Sequence, residues 1–233
     1  MKLETLTELN AERAARHPVV LITDTATGEQ RLVKAADVAS DPMHAELARQ
    51  LRMGKSGMIE VSGKKLFLNV YAPTARLVII GAVHISQALV PIARSLGYDV
   101  TVVDPRTAFA SPERFPDVPL IAEWPDVALP PLNIDRYTAF VALTHDPKID
   151  DPALLHAFKH DCFYIGALGS RKTHGKRGER LRAQGATDAD IAKIHAPIGL
   201  SIGAVSPAEI AVSIMAEITA QLRLPPQEKE QAA

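Results

Sequence analysis

The turn at Gly81 is the first place where the sequence could bind a ligand. It separates an apolar β-type run, residues 77–80, from a helical pattern. A chain that leaves a buried strand for a helix presents unpaired backbone N–H groups and the positive end of the helix dipole, where phosphate binds. Asp104, roughly twenty residues further along, stands where dinucleotide-binding folds place the carboxylate that binds ribose hydroxyls. The spacing predicts a nucleotide-type site that includes Gly81 and Asp104.

The glycine fingerprint of this turn is incomplete. A dinucleotide site has the pattern G-x-G-x-x-G/A, whose three places are held here by Gly81, Val83 and Ser86. Because the β-branched Val83 replaces the glycine that lets the backbone approach a pyrophosphate, tight NAD(P) binding is not expected. His84 could face a ligand phosphate or cap the helix start, and both readings stay open. The alternative for the whole turn is a Rossmann scaffold without a cofactor.

Polar residues also end the most apolar run of the chain. Residues 137–143 are typical of a central parallel strand, and Thr144, His145, Asp146 and Pro147 follow them. Ligands of open α/β sheets bind beyond the carboxyl ends of strands, so His145 and Asp146 are expected on the same rim as the Gly81 turn. The alternative is an ordinary turn started by Asp-Pro.

A third candidate site follows the run at residues 162–165. Gly169, Ser170 and Arg171 lead into a basic helix, and this order favours a phosphate clamp in which Arg171 pairs bidentately while backbone N–H groups add direction. The alternative is an ordinary helix start. Further cations on that helix, among them Lys176, are expected to form a solvated face.

The remaining reactive side chains predict no metal-ion site. His156, His160 and Asp161 have helical spacing, but the sequence offers no convincing further ligand. Cys162 begins an apolar run, and a structural thiol is therefore favoured over a sulfur carrier or a metal ligand.

The elements that must position these residues form an α/β protein. Apolar runs alternate with capped helices from residue 73 onward, which predicts a Rossmann-like doubly wound parallel sheet. Its predicted strands are 77–80, 100–103, 120–122, 137–143 and 162–165. Residues 1–72, with two hairpins and two helices, are expected to form a small α+β N-terminal module, residues 73–224 the Rossmann-like domain, and residues 225–233 a disordered tail.

Three local predictions concern the second half of the chain. Asp150 and Pro152 are expected to cap a helix that runs to about residue 160, and Thr187 and Asp188 a short helix that runs to His195. The long helix that opens at Ser206 carries apolar residues around much of its surface. It is expected to pack across the sheet or in a subunit interface, and a homodimer is expected.

Composition narrows the functional class. The 233 residues have a net charge of −1 and no basic block, which argues against nucleic acid or an anionic membrane as the main partner. The start of the chain lacks the apolar core of a secretion signal, and no later run is long enough to span a bilayer. With one cysteine, a disulfide framework within the chain is excluded. A cytoplasmic protein is expected.

Three segments together resemble one known family. They are LVIIGAVHISQAL with VTVVDPR, then LTHDPKIDDPAL, and then FYIGALGSRKT with the closing PIGLSIGAVSPAEIAVSIMAEI. They are similar to the xanthine dehydrogenase accessory family of the XdhC/CoxI type, over about residues 73–222. The resemblance implies a Rossmann domain behind an N-terminal module. It also implies a maturation factor that binds molybdenum cofactor, protects it while a cysteine desulfurase replaces an oxo ligand by sulfur, and delivers it to an apo molybdenum hydroxylase.

Three functions are compatible with the residues. A carrier-chaperone binds a phosphorylated pterin without turnover, whereas an NAD(P)-dependent oxidoreductase needs an intact glycine loop. Val83, which stands where the family commonly has the second glycine of Gly-Ala-Gly-His, favours the chaperone. A purely structural partner of a large hydroxylase is the third reading, and it would leave both polar rims without a ligand.

Overall fold

The chain folds as two compact units. The structure is a computed structural model that describes residues 1–225. The first unit is Met1–Pro73, and the second begins at Thr74. Of the predicted tail, residues 226–233 lie outside the described residues. Within the described part, no helix combines the length and hydrophobicity that crossing a bilayer requires.

The first unit is an antiparallel sheet flanked by helices. Its strands, in the spatial order β2-β1-β4-β3, are β1 (Val19–Asp24), β2 (Gln30–Lys34), β3 (Gly57–Val61) and β4 (Lys64–Tyr71). Its helices are α1 (Leu3–Ala14), α2 (His44–Met53) and a 3-10 helix, Ala35–Ser40. Val20 and Leu68 of the sheet and Leu47 of α2 belong to one buried core. Burial alternates along β3, as expected for a sheet with one wet face.

The second unit is built on a parallel sheet. Its strands are β5 (Arg76–Ile80), β6 (Asp99–Val103), β7 (Leu120–Ile121), β8 (Thr138–Ala142), β9 (Tyr164–Ala167) and β10 (Ile194–His195). Their spatial order is β10-β9-β8-β5-β6-β7, and each described pair is parallel. Counted from β5, this is the strand order 3-2-1-4-5-6 of the Rossmann fold. The predicted fold class is therefore confirmed.

Helices cover both faces of this sheet. They are α3 (His84–Ser95), α4 (Pro125–Ala128), α5 (Pro147–Ala157), α6 (Arg171–Ala183), α7 (Asp188–Ile191) and α8 (Pro207–Arg223). Successive side chains of a strand point to opposite faces. In β5, Leu77 and Ile79 accordingly pack in the core that contains α3 and α8, whereas Val78 and Ile80 pack in the core that contains α5 and α6. Burial on both faces explains why the strands are almost wholly apolar.

Three local predictions were wrong. The helix α5 begins at Pro147, and its N-cap is Asp146, whose carboxylate accepts from the Lys148 N–H at 2.9 Å. The helix after Thr187 ends at Ile191, and the edge strand β10 follows where helix was predicted. A two-residue strand is too short to show a period of two, so the pattern could not distinguish it. Strand β9 lies two residues later than predicted at each end.

Candidate functional site

The Gly81 turn and the end of β8 flank the point where the strand order reverses. Strands β5 and β8 are neighbours, and the Leu143 N–H donates to the Ile80 carbonyl just beyond them. From here the chain continues to opposite sides of the sheet, which opens the crevice where ligands of such sheets bind. Gly81 has φ +114°, and a Cβ at this position would lie 2.8 Å from Thr144 Cγ2. Only glycine lets the two strand ends approach this closely.

The carboxylate of Asp104 stabilises this turn through hydrogen bonds. It accepts from the Ala82 N–H at 2.7 Å and from Arg106 Nε and Nη2 at 2.9 and 2.7 Å. Burial would raise the pKa of Asp104, but these bonds hold it below its ordinary value. The side chain is fully buried. Both oxygens already have donors, so a ribose hydroxyl would have to share or replace a bond from Arg106.

The residues that follow Gly81 differ in how far their side chains are exposed to solvent. Ser86 is buried, and its hydroxyl donates to the Gly81 carbonyl at 2.5 Å, so it braces the turn from inside. Val83 occupies the N-cap position of α3 and packs against the core. His84 is the first residue of α3, and its side chain is exposed. Of the residues proposed from this turn, His84 is the one best placed to meet a ligand from solvent.

Asp150 organises the end of β8. Its buried carboxylate accepts from Thr144 Oγ1 at 2.6 Å and from the His145 N–H at 3.0 Å. Burial raises the pKa of Asp150, although these bonds oppose the rise. His145 has φ +64° and an exposed side chain, and Asp146 caps α5. The predicted cap at Asp150 is wrong because Asp146 and Pro147 offer the same cap-and-proline pattern earlier in the chain, and the carboxylate of Asp150 turns back to Thr144 instead.

The turn into α6 combines an exposed cation with a buried one. Gly169 has φ +136°, Ser170 caps α6 by accepting from the Thr173 N–H at 3.2 Å, and Arg171 is exposed. Arg177, one of the helix cations predicted to lie on a solvated face, is instead 2% exposed, and its Nη2 donates to the Leu168 carbonyl at 2.8 Å. Its Nε and Nη1 are buried without a partner in the described part of the chain. Arg177 thus stabilises the turn from the buried side, through its bond to the Leu168 carbonyl.

The candidate residues lie on the same edge of one sheet. Strand β9 neighbours β8, so the turn at Gly169 follows the strand next to the one that ends at His145. Burial lowers the pKa of Arg177, and the negative charges of Asp150 and Asp151 act in the opposite direction. Arg106 interacts electrostatically with Asp146 and Asp150 as well as with Asp104. Charges of alternating sign therefore connect the Gly81 turn with the Gly169 turn. They belong to Asp104, Arg106, Asp150 and Arg177.

Cys162 lies away from this edge. It precedes β9, at the amino end of the strand, whereas the candidate turns follow carboxyl ends. Burial, with a smaller contribution from Asp135, raises the pKa of the thiol to about 12. Because the thiolate is the nucleophile, such a thiol is a poor sulfur carrier at neutral pH. No cluster of three or more His, Cys, Asp or Glu side chains suited to a metal ion occurs in residues 1–225.

Comparisons with known proteins point to one family. A family model described as the XdhC Rossmann domain matches residues 77–218. The chain is 34% identical over 174 residues to the uncharacterized protein YqeB of Escherichia coli K12, covering 72% of this chain and 32% of YqeB. It is 32% identical over 154 residues to a probable xanthine dehydrogenase subunit of Bacillus subtilis 168, covering 66% of this chain and 44% of that protein.

Two further comparisons concern a chaperone and a solved structure. The molybdenum cofactor insertion chaperone PaoD of Escherichia coli K12 is 32% identical over 154 residues, covering 66% of this chain and 42% of PaoD. A crystal structure described as a xanthine dehydrogenase from Bacillus halodurans superposes with a TM-score of 0.68 at 25% identity, covering 98% of this chain and 68% of that one. The chain spans less than half the length of these curated relatives.

Proposed function

The chain belongs to the XdhC family, and we propose that it binds molybdenum cofactor and assists the maturation of a xanthine-dehydrogenase-type molybdenum hydroxylase. The observation that carries this proposal is the match of the whole Rossmann sheet to the family, together with a relative named for molybdenum cofactor insertion. The cofactor is here a cargo. The protein's own part is to bind it, shield it and release it.

The chemistry of the sheet edge suits a phosphorylated pterin. Such a ligand carries an anionic phosphate and a flat heterocycle with N–H donors. The turn into α6 offers the exposed guanidinium of Arg171 beside a helix N-terminus, which together favour an anion. His84 and His145 offer exposed imidazoles at the reversal of the strand order. These groups bind and orient a ligand, and none of them needs to transfer a proton for the function proposed.

The partners belong to the same proposal. The client is an apo molybdenum hydroxylase, and a cysteine desulfurase supplies the sulfur that replaces an oxo ligand while this protein holds the cofactor. We also propose that the protein acts as a homodimer. Size-exclusion chromatography with light scattering tests the dimer independently of the cofactor.

An NAD(P)-dependent oxidoreductase is the weaker alternative. Two features weigh against it: Val83 stands at the place of closest pyrophosphate approach, and the carboxylate of Asp104 is already bonded to Ala82 and Arg106. An oxidoreductase would need space for the pyrophosphate at position 83 and a carboxylate at Asp104 that is free to bind the ribose hydroxyls.

A transfer assay tests the proposal. The protein, purified from a host that makes molybdenum cofactor, is mixed with purified apo-hydroxylase, and recovered hydroxylase activity is measured against time. We expect recovery that depends on the amount of loaded protein added, and none with protein from a host that cannot make the cofactor. Equal recovery with both preparations would contradict the chaperone function.

A further inference from the structure

A pocket that the sequence did not predict lies at the β9–β10 end of the same sheet edge. It has a volume of about 540 Å³, within the range of small-molecule sites. Its walls are the loop between β10 and α8, the turn into α6, and one side of α8. The lining combines Arg171, His195 and Glu217 with the apolar side chains of Leu168, Ile198 and Ile210.

Glu217 is a buried carboxylate with three donors. It accepts from the Tyr164 hydroxyl at 2.5 Å, from His195 Nδ1 at 2.9 Å and from the Gly199 N–H at 2.8 Å. Its residue is 5% exposed. Burial would raise the pKa of Glu217, but the bonds from His195 and Tyr164 hold it below its ordinary value. The carboxylate is therefore charged at neutral pH and acts as an acceptor in all three bonds.

This arrangement fixes the ring of His195. A charged carboxylate can only accept, so Nδ1 carries a proton and donates it to Glu217. In the neutral form of the imidazole, Nε2 is then the acceptor. The Tyr164 ring stacks on the imidazole with 4.7 Å between centroids, which also sets the plane of the ring. The His195 side chain is 24% exposed, and within residues 1–225 Nε2 makes no hydrogen bond. One acceptor atom is thus oriented and left for a ligand.

The pocket wall is held in place by close packing. A Cβ at Gly166 of β9 would lie 2.6 Å from Ile198 Cδ1, so the glycine makes room for the loop's apolar anchor. Gly199 has φ +88°, and a Cβ there would collide with Ser213 of α8. These contacts fix the loop before any ligand arrives, which lowers the ordering cost of binding.

We propose that this pocket binds the heterocycle of a phosphorylated pterin, with His195 Nε2 accepting from a ring N–H and Arg171 pairing with the phosphate. The proposal rests on the proposed function. It places the principal cofactor contacts beyond β9 and β10 rather than at Gly81. Glu217 is a positioning residue, because it acts through the tautomer and orientation of His195. The apolar lining suits the faces of a flat ring.

Two stable probes separate the two contacts. Neopterin and neopterin monophosphate share the ring, but only the second carries the phosphate, and pterin fluorescence anisotropy measures both affinities. We expect Arg171→Ala to weaken phosphate-ester binding about ten-fold or more, as for a charged hydrogen bond, and to leave neopterin unchanged. His195→Ala should weaken the binding of neopterin and of neopterin monophosphate by a similar factor. The matched controls are Lys176→Ala on α6 and His44→Ala on α2, which are exposed and outside the pocket.

The positioning role of Glu217 has its own readout. In wild-type protein, ¹⁵N NMR of the His195 ring should show the Nδ1–H tautomer. Glu217→Gln should give a tautomer mixture and weaken both probes, whereas a purely structural residue would leave the ring signals of the folded variant unchanged. Unchanged tautomer with Glu217→Gln would remove the positioning role.

The outcomes distinguish the pocket from the function. If the wild type binds the phosphate ester, and His195→Ala and Arg171→Ala bind it like the controls, the pocket is overturned and the cofactor-binding function stands. The same holds if these variants retain the wild-type pterin content when purified from a cofactor-producing host. If the wild type binds neither probe and carries no pterin from that host, the proposed function itself fails.

Discussion

Replacing Gly81 by alanine tests how the two strand ends meet. The new Cβ would lie 2.8 Å from Thr144 Cγ2, and the residue would have to keep φ +114°. Backbone strain of this kind costs about 1–3 kcal/mol, and overpacking adds about 1–3 kcal/mol. We therefore expect Gly81→Ala to lower the free energy of unfolding of the second unit by about 2–6 kcal/mol.

Two further variants divide this loss into its causes. Gly97→Ala is the matched control, because Gly97 has φ +81° but its new Cβ would meet no atom within 4 Å beyond its chain neighbours, so strain acts there without a collision. Thr144→Ser removes Cγ2 and keeps the hydroxyl that donates to Asp150. In the Gly81→Ala background it should restore about 1–2 kcal/mol, whereas alone it should cost about 0.8 kcal/mol for the lost methyl group.

Urea unfolding followed by Trp124 fluorescence measures these differences. Trp124 is the only tryptophan of the chain and lies in the second unit, so its signal reports on that unit. Additive effects of Gly81→Ala and Thr144→Ser, or a Gly81→Ala cost equal to that of Gly97→Ala, would refute the close approach described here.

Three other predictions concern the remaining groups. Wild-type protein should bind NAD(H) only in the millimolar range, about −4 kcal/mol, and Val83→Gly should improve this binding in calorimetry; micromolar binding by the wild type would favour the oxidoreductase. The pKa of Glu217 is lowered on folding, so its contribution to stability is present above the unfolded value of 4.5 and is lost as pH falls through the folded value. Between roughly pH 6 and pH 3, which brackets the ordinary pKa of a glutamate, the wild type should therefore lose more free energy of unfolding than Glu217→Gln. An equal loss in the two proteins, measured by urea unfolding, would contradict this. Because burial raises the thiol pKa of Cys162 to about 12, iodoacetamide at roughly neutral pH should alkylate Cys162 more slowly than it alkylates the thiol of free glutathione. Unfolding the protein in urea should abolish this difference. Fast labelling of the folded protein would contradict the assignment of Cys162 as a buried structural thiol.

The sheet was predictable because its strands are buried on both faces. Residues 77–80 and 137–143 are continuous apolar runs, and such runs locate central parallel strands without long-range information. The boundaries that failed depend on tertiary contacts. Asp146 and Asp150 both have the chemistry of a helix cap, and only the fold shows that Asp150 turns back to Thr144. The pairing of β10 with β9 is likewise a property of the fold.

The candidate site was only partly accessible to sequence reasoning. The special position of Asp104 followed from its spacing, but its bonds to Ala82 and Arg106 did not. His195 and Glu217 are separated by an entire loop and half a helix, so no local motif joins them. A glutamate on the apolar side of a helix was a usable signal, because a buried carboxylate needs donors. The roles of all these residues toward a ligand stay predictions.

The pterin that accompanies the purified protein is the decisive quantity for a cofactor chaperone. The chain is purified from a cofactor-producing host, denatured and oxidised, and the released pterin is measured by fluorescence against protein concentration. We predict a pterin content that is a substantial fraction of one per chain and falls sharply in Arg171→Ala and His195→Ala, but not in Lys176→Ala. A wild-type content equal to that of an unrelated protein purified from the same host would contradict the proposed function.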